Sequence, residues 1–134
     1  MPIIETLIGA ASGVILLAAF SRLSAKSLAD YGFLAFAIMV SIYFGARLVT
    51  GSMNEIIAEF VAVNIALGLT WFAMQKWLPT IGIVIFLHGT YDAFFGKHTG
   101  VAEWYPYLCA GFDLAVGIGL LLILHRKLKG AEPA

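Results

Sequence analysis

Five mostly apolar runs, at residues 3–20, 32–50, 54–77, 79–96 and 104–125, account for most of the chain, and each is close to the roughly 20 residues that a helix needs to cross a bilayer. No other feature restricts the fold as much. A backbone immersed in hydrocarbon must satisfy its own N–H and C=O groups, so runs of this length specify helices rather than isolated strands. The breaks between them are short: a polar stretch from Ser21 to Asp30, the residues Gly51-Ser-Met, Pro79, and the turn-rich Gly96-Lys-His-Thr-Gly100. Proline at position 79 suits the first turn of a new helix. The expected fold is an all-α, polytopic transmembrane bundle of about five spanning helices, one domain over residues 1–134. Its second and third segments should form a tight antiparallel hairpin.

Composition agrees with a bilayer setting. Hydrophobic residues make up 61% and charged residues 12%, with a mean hydropathy of +0.94, well away from soluble domains in both directions. A net charge of zero leaves no basic footprint for nucleic acid. Cys109 is the single cysteine and makes no intrachain disulfide. The N-terminus lacks a basic leader and carries Glu5 early in the first apolar run, which does not read as a cleavable signal. Across five crossings, Arg22, Lys26, Lys76, Arg126, Lys127 and Lys129 share one side, and Arg47 and Lys97 the other. That asymmetry predicts an N-out, C-in orientation. Trp77, Trp104, Tyr105 and Tyr107 stand at run ends, as interfacial anchors do, and Gly9 and Gly13 offer a small-xxx-small face for close helix packing.

Within these runs the polar residues stand out. His88 and Asp92 lie four apart, on one helix face, directly after Ile81-Gly-Ile-Val-Ile-Phe-Leu. A carboxylate at that depth needs a partner. At about 1.5 Å of rise per residue, Glu55 and Glu59 fall within ~8 Å of the outer end of the third helix. Asp92 and His88 lie roughly 6 and 12 Å from the outer end of the fourth, and Asp113 roughly 13 Å into the fifth. Tyr43 and Arg47 occupy the last turns of the second. Because consecutive helices run in opposite directions, all of these residues share one membrane level, whichever way the protein is inserted. Asn64, nine residues after Glu55, points off this face.

Four carboxylates then surround one permanent cation, Arg47, and one titratable base, His88. Four like charges in a low dielectric do not all stay ionised, so either some hold protons or a bound cation neutralises them. The candidate catalytic residues are His88, Asp92, Glu59 and Asp113, with His88 as base or ligand, Asp92 orienting it, and Glu59 and Asp113 exchanging protons. Arg47, Glu55, Tyr43 and Tyr91 are the supporting set. A divalent metal cofactor would take mixed nitrogen and oxygen ligation from Glu59, His88, Asp92 and Asp113, which suits zinc, manganese or iron. The plainer alternative makes Arg47–Glu55 a salt bridge closing the hairpin, the tyrosines packing residues, and the rest an inert hydrogen-bonded network.

The function expected from this pattern is acid–base chemistry, metal-assisted or not, that hydrolyses or isomerises a lipophilic or interfacial substrate. The rivals are a small proton- or cation-coupled transporter and a structural, partner-binding membrane subunit. The inner halves of the last three helices, such as Ala66-Leu-Gly-Leu and Gly117-Ile-Gly-Leu-Leu-Leu-Ile-Leu, carry no ionisable group, which favours a one-sided site over a conduit. The expected partners are the lipid bilayer, a lipophilic small molecule and further copies of the chain, with no nucleic acid.

Leu87-His-Gly-Thr-Tyr-Asp92, followed by Cys109-Ala-Gly-Phe-Asp113 and preceded by Tyr43-Phe-Gly-Ala-Arg47, resembles a family of small bacterial integral membrane proteins catalogued only as a domain of unknown function. That family carries His-x-x-aromatic-Asp on its penultimate helix and an Asp on its last. The resemblance implies the same polar pair and a bacterial inner-membrane location, and it brings no activity with it. A weaker likeness, through Glu55-x3-Glu59 and His88-x3-Asp92, is to CAAX-type intramembrane proteases.

Overall fold

The computed structural model describes residues 2–98 and 100–130. It contains five α-helices, α1 (Pro2–Phe20), α2 (Ala25–Thr50), α3 (Met53–Met74), α4 (Thr80–Phe95) and α5 (Tyr105–Lys129), with a short 3-10 turn at Gly96–His98 and no strand among the described residues. Four of them, α1, α2, α3 and α5, are long and apolar enough to cross a membrane, and the chain is an integral membrane protein. With 16 residues, α4 reaches only about 24 Å. Of the break expected at 96–100, Thr99 lies outside the described residues.

One boundary departs clearly from the hydropathy reading. Helix α2 begins at Ala25 rather than at 32, because the polar stretch before it is a helix start. Ser24 Oγ accepts from the Ser27 backbone N–H at 3.1 Å, meeting one of the unpaired donors of the first turn. Lys26 and Asp30, one turn apart, form an exposed ion pair at 2.9 Å. The hairpin between α2 and α3 is as tight as expected. The Gly51 N–H closes α2 on the Arg47 carbonyl at 2.8 Å, and the Ser52 N–H and hydroxyl both donate to Glu55 Oε2 at 2.8 Å, starting α3.

Helix α5 is the centre of the bundle: α1 packs along one side of it and α4 along the other, while α2 and α3 pair and lean on that slab. Small residues allow the close approach. A Cβ on Gly117 would stand 2.6 Å from the Phe86 backbone nitrogen, and one on Gly82 2.6 Å from that of Leu121, so α4 and α5 meet backbone to backbone. Gly9 and Gly111 do the same for α1 and α5, which places the small-residue face of α1 inside the chain. Towards the side of the bundle opposite the polar residues, Leu28, Ile81, Ile85, Leu120 and Leu124 form a dry apolar core. Leu7, Ile15, Leu69 and Phe72 face outward, as lipid-facing positions do.

Candidate functional site

Three helices bring the site together. His88 and Asp92 stand one turn apart on α4, Asp113 comes from α5, and Tyr43 from α2. The approach of α5 to α4 at this level depends on Gly89: a Cβ there would sit 2.7 Å from the Asp113 Cβ. His88 Nδ1 lies 2.8 Å from Asp113 Oδ2 and 3.7 Å from Asp92 Oδ2. Tyr43 donates its hydroxyl to Asp92 Oδ1 at 2.5 Å. The carboxylate that orients the imidazole is therefore Asp113, where the spacing on α4 alone pointed to Asp92. Asp92 is held by the tyrosine instead.

These groups are almost wholly enclosed by protein. The Asp92 and Asp113 side chains are 0% and 1% exposed and the His88 side chain 10%. The His88 ring is walled by Phe36, edge-on at 5.8 Å between centroids, by Tyr43 at 5.7 Å and by Tyr91 at 6.4 Å. On the outer side the 3-10 turn acts as a roof. A side chain on Gly96 would strike Pro106 and approach the Tyr43 hydroxyl. An ionised carboxylate only accepts hydrogen bonds, so when Asp113 is ionised the proton of a neutral His88 sits on Nδ1 and Nε2 is the basic nitrogen. Asp92 Oδ2 and Asp113 Oδ1 accept no hydrogen bond from any described residue.

The other candidates fall outside this cluster. Glu59, half-buried on α3, is absent from the group of His88, Asp92 and Asp113 whose ligand atoms converge, and its charge acts on Tyr91. The two buried residues of α3, Thr70 and Met74, are near its other end. Glu55 is spent on capping α3 and on Arg47, whose Nη1 lies 3.3 Å from its Oε1. The second Arg47 donor, Nη2, reaches the His98 carbonyl at 2.5 Å. Arg47 thus straps the α2–α3 hairpin to the roof. Outside the helices, Lys97 sits over the Tyr107 ring at 5.1 Å, and the Tyr107 hydroxyl beside it raises its pKa above the usual lysine value.

Phe36 and Gly89 went unnoticed in the sequence. Phe36 is seven residues before Tyr43, on the same face of α2, which was a readable signal. Gly89, inside a helical run and next to a histidine, was a hint of close approach.

A double-mutant cycle checks the strap. Arg47→Ala and Glu55→Ala should each lower the melting temperature in detergent, Glu55→Ala further because it also removes the cap. The double variant should lose less than the sum of the two single losses. Strictly additive losses would separate the two residues.

Comparison with family models, with curated proteins and with solved structures finds no match for this chain. What the site does must be read from its own groups.

Proposed function

We propose that the protein is an intramembrane enzyme whose His88–Asp92–Asp113 cluster performs acid–base chemistry, hydrolysis or isomerisation, on a lipophilic or interfacial substrate. The observation that carries this reading is the buried His88–Asp113 contact of 2.8 Å with a second, tyrosine-held carboxylate 3.7 Å away. Ionisable groups inside a membrane bundle are costly and mark function by default, and a histidine beside a carboxylate is the commonest acid–base pair.

Access from the bilayer follows from the packing. Leu87 and Tyr91, which flank His88, are exposed on α4, and α3 covers α4 only lightly. A lipid-borne group can approach along that side. A transport role is disfavoured by Ile81, Ile85 and Leu124, which are fully buried below the site and supply no polar path onward.

The distribution of basic residues supports an N-out, C-in orientation, which puts the cluster in the outer leaflet of a bacterial inner membrane. A reporter inserted at Lys97–His98 should then register as external and one fused at the C-terminus as cytoplasmic. The same side for both would mean that α5 does not cross.

The function is tested by incubating the full-length protein with total bacterial lipid extract in nanodiscs and following every species by mass spectrometry. At least one species should be consumed by the parent protein and left intact by His88→Gln. Identical lipid profiles for the two proteins would overturn the proposal.

A further inference from the structure

Hydrogen bonding does not account for all of the cluster. Asp92 Oδ2 and Asp113 Oδ1 are left without a hydrogen bond among the described residues, although their side chains are 0% and 1% exposed. An acceptor abandoned in this way is costly, more so when charged. Asp92 Oδ2 nevertheless faces inward, 3.7 Å from His88 Nδ1. Tyr43 occupies the other oxygen of the same carboxylate and so fixes which one faces the cluster, as an outer partner does for a metal-bound carboxylate.

Three potential ligand atoms converge here. His88, Asp92 and Asp113 each offer one ligand atom, and these atoms lie within 4.8 Å of one another. Ligands about 2.1 Å from one ion stand about 3.0 Å apart at right angles and about 3.4 Å apart in a tetrahedron. The two contacts of Nδ1, at 2.8 and 3.7 Å, bracket those separations. Charge points the same way. Two ionised carboxylates exceed even a fully protonated imidazole by one negative charge, whereas a divalent cation balances both with His88 neutral, and a low-dielectric site strongly favours balance. Arg47, the nearest permanent cation in the sequence pattern, is taken up by Glu55 and the His98 carbonyl.

We propose that His88 Nδ1 and one oxygen each of Asp92 and Asp113 bind one divalent first-row transition ion of the zinc, manganese or iron class. The proposal deepens the acid–base reading above and rests on it. One imidazole and two carboxylates suit these ions and not soft copper(I). Three protein ligands leave at least one coordination position for water or a substrate oxygen, the arrangement of catalytic rather than structural centres. Glu59, counted among the ligands on depth alone, is not one of them. Binding moves the Nδ1 proton of His88 away, so the ring carries its hydrogen on Nε2 when the ion is held, and the proton acceptor of the loaded site would be a water at the open position instead of the imidazole.

The test uses the full-length protein in nanodiscs, stripped with chelator and then loaded separately with Zn2+ and Mn2+. Metal content after desalting should be one equivalent per chain for at least one of the ions, and the melting temperature should rise on loading and fall again with EDTA. His88→Gln and Asp113→Asn should each weaken apparent affinity at least tenfold, while Glu59→Gln leaves it unchanged. Should the variants fail to fold, Co2+ uptake by the parent protein decides the matter: ligand-field bands in the visible, abolished by competing Zn2+, are expected. A parent protein that takes up no stoichiometric ion, shows no melting shift, or binds equally well in His88→Gln overturns the inference. Lipid turnover that persists after chelation would overturn it too while leaving the acid–base reading in place. Stoichiometric uptake with no lipid consumed would do the reverse.

Discussion

Gly117→Leu is expected to destabilise the bundle by about 3 kcal/mol or more, the upper range for overpacking a close-packed interior. The Cβ alone would lie 2.6 Å from the Phe86 backbone nitrogen and 2.8 Å from the Gly82 carbonyl oxygen. Backbone atoms cannot swing aside as a side-chain tip does, so the helices must separate. Separation of α4 from α5 at this point loosens the apolar core around Ile81, Ile85 and Leu120 and tilts His88 away from Asp113. Gly68→Leu is the matched control, since a Cβ on Gly68 meets nothing within 4 Å. There the substitution should be neutral or slightly stabilising, because leucine costs the helix less entropy than glycine. The measurement is thermal unfolding of both variants in the same detergent. Equal losses would show that α4 and α5 do not touch at Gly117.

Asp113→Asn is expected to lower turnover of the substrate species by two to four orders of magnitude, the range for removing the partner of an acid–base histidine. The amide has the size of the carboxylate and can still accept a hydrogen bond through its oxygen. It can equally turn its NH2 group toward Nδ1, which places the imidazole proton on Nε2 and removes the basic nitrogen. It also withdraws the negative charge 2.8 Å from Nδ1, whether that charge faces an imidazolium or an ion. Folding should be little affected, within about 1 kcal/mol, since a neutral group of equal volume is no harder to bury. Stability and turnover measured on one preparation separate these effects. A collapse of stability with turnover per folded molecule unchanged would make the cluster a structural knot.

How much of this was legible in the sequence depends on which coordinate is asked about. Depth was readable: rise per residue and alternating helix direction placed Tyr43, His88, Asp92 and Asp113 at one level, and the structure joins them there. Azimuth was not. Glu59 shares the level but sits on a helix whose burial is at its other end, and nothing in its spacing from Glu55 said which way α3 would turn. The exchange of roles between Asp92 and Asp113 has a similar cause. A spacing of four along α4 guarantees a shared face, whereas a residue on a neighbouring helix can come closer when a glycine such as Gly89 admits it. The early start of α2 was hidden because average hydropathy counts Ser24, Lys26 and Asp30 as loop, when their positions are those of an N-cap and an i,i+4 ion pair.

The pairing of α1 with α5 sets a timetable for assembly. The two helices that fit most closely at their glycines, α1 and α5, leave the ribosome far apart in time. At ~5–20 residues per second of synthesis, the stretch from Gly9 to Gly111 takes on the order of 5–20 s to emerge. For that interval α1 waits in lipid with its glycine face bare, and α4 waits about 2–7 s with Gly82 and Gly89 uncovered. Only α5, among the described helices, shelters both. A chain that stalls short of α5 therefore leaves two helices without their main partner.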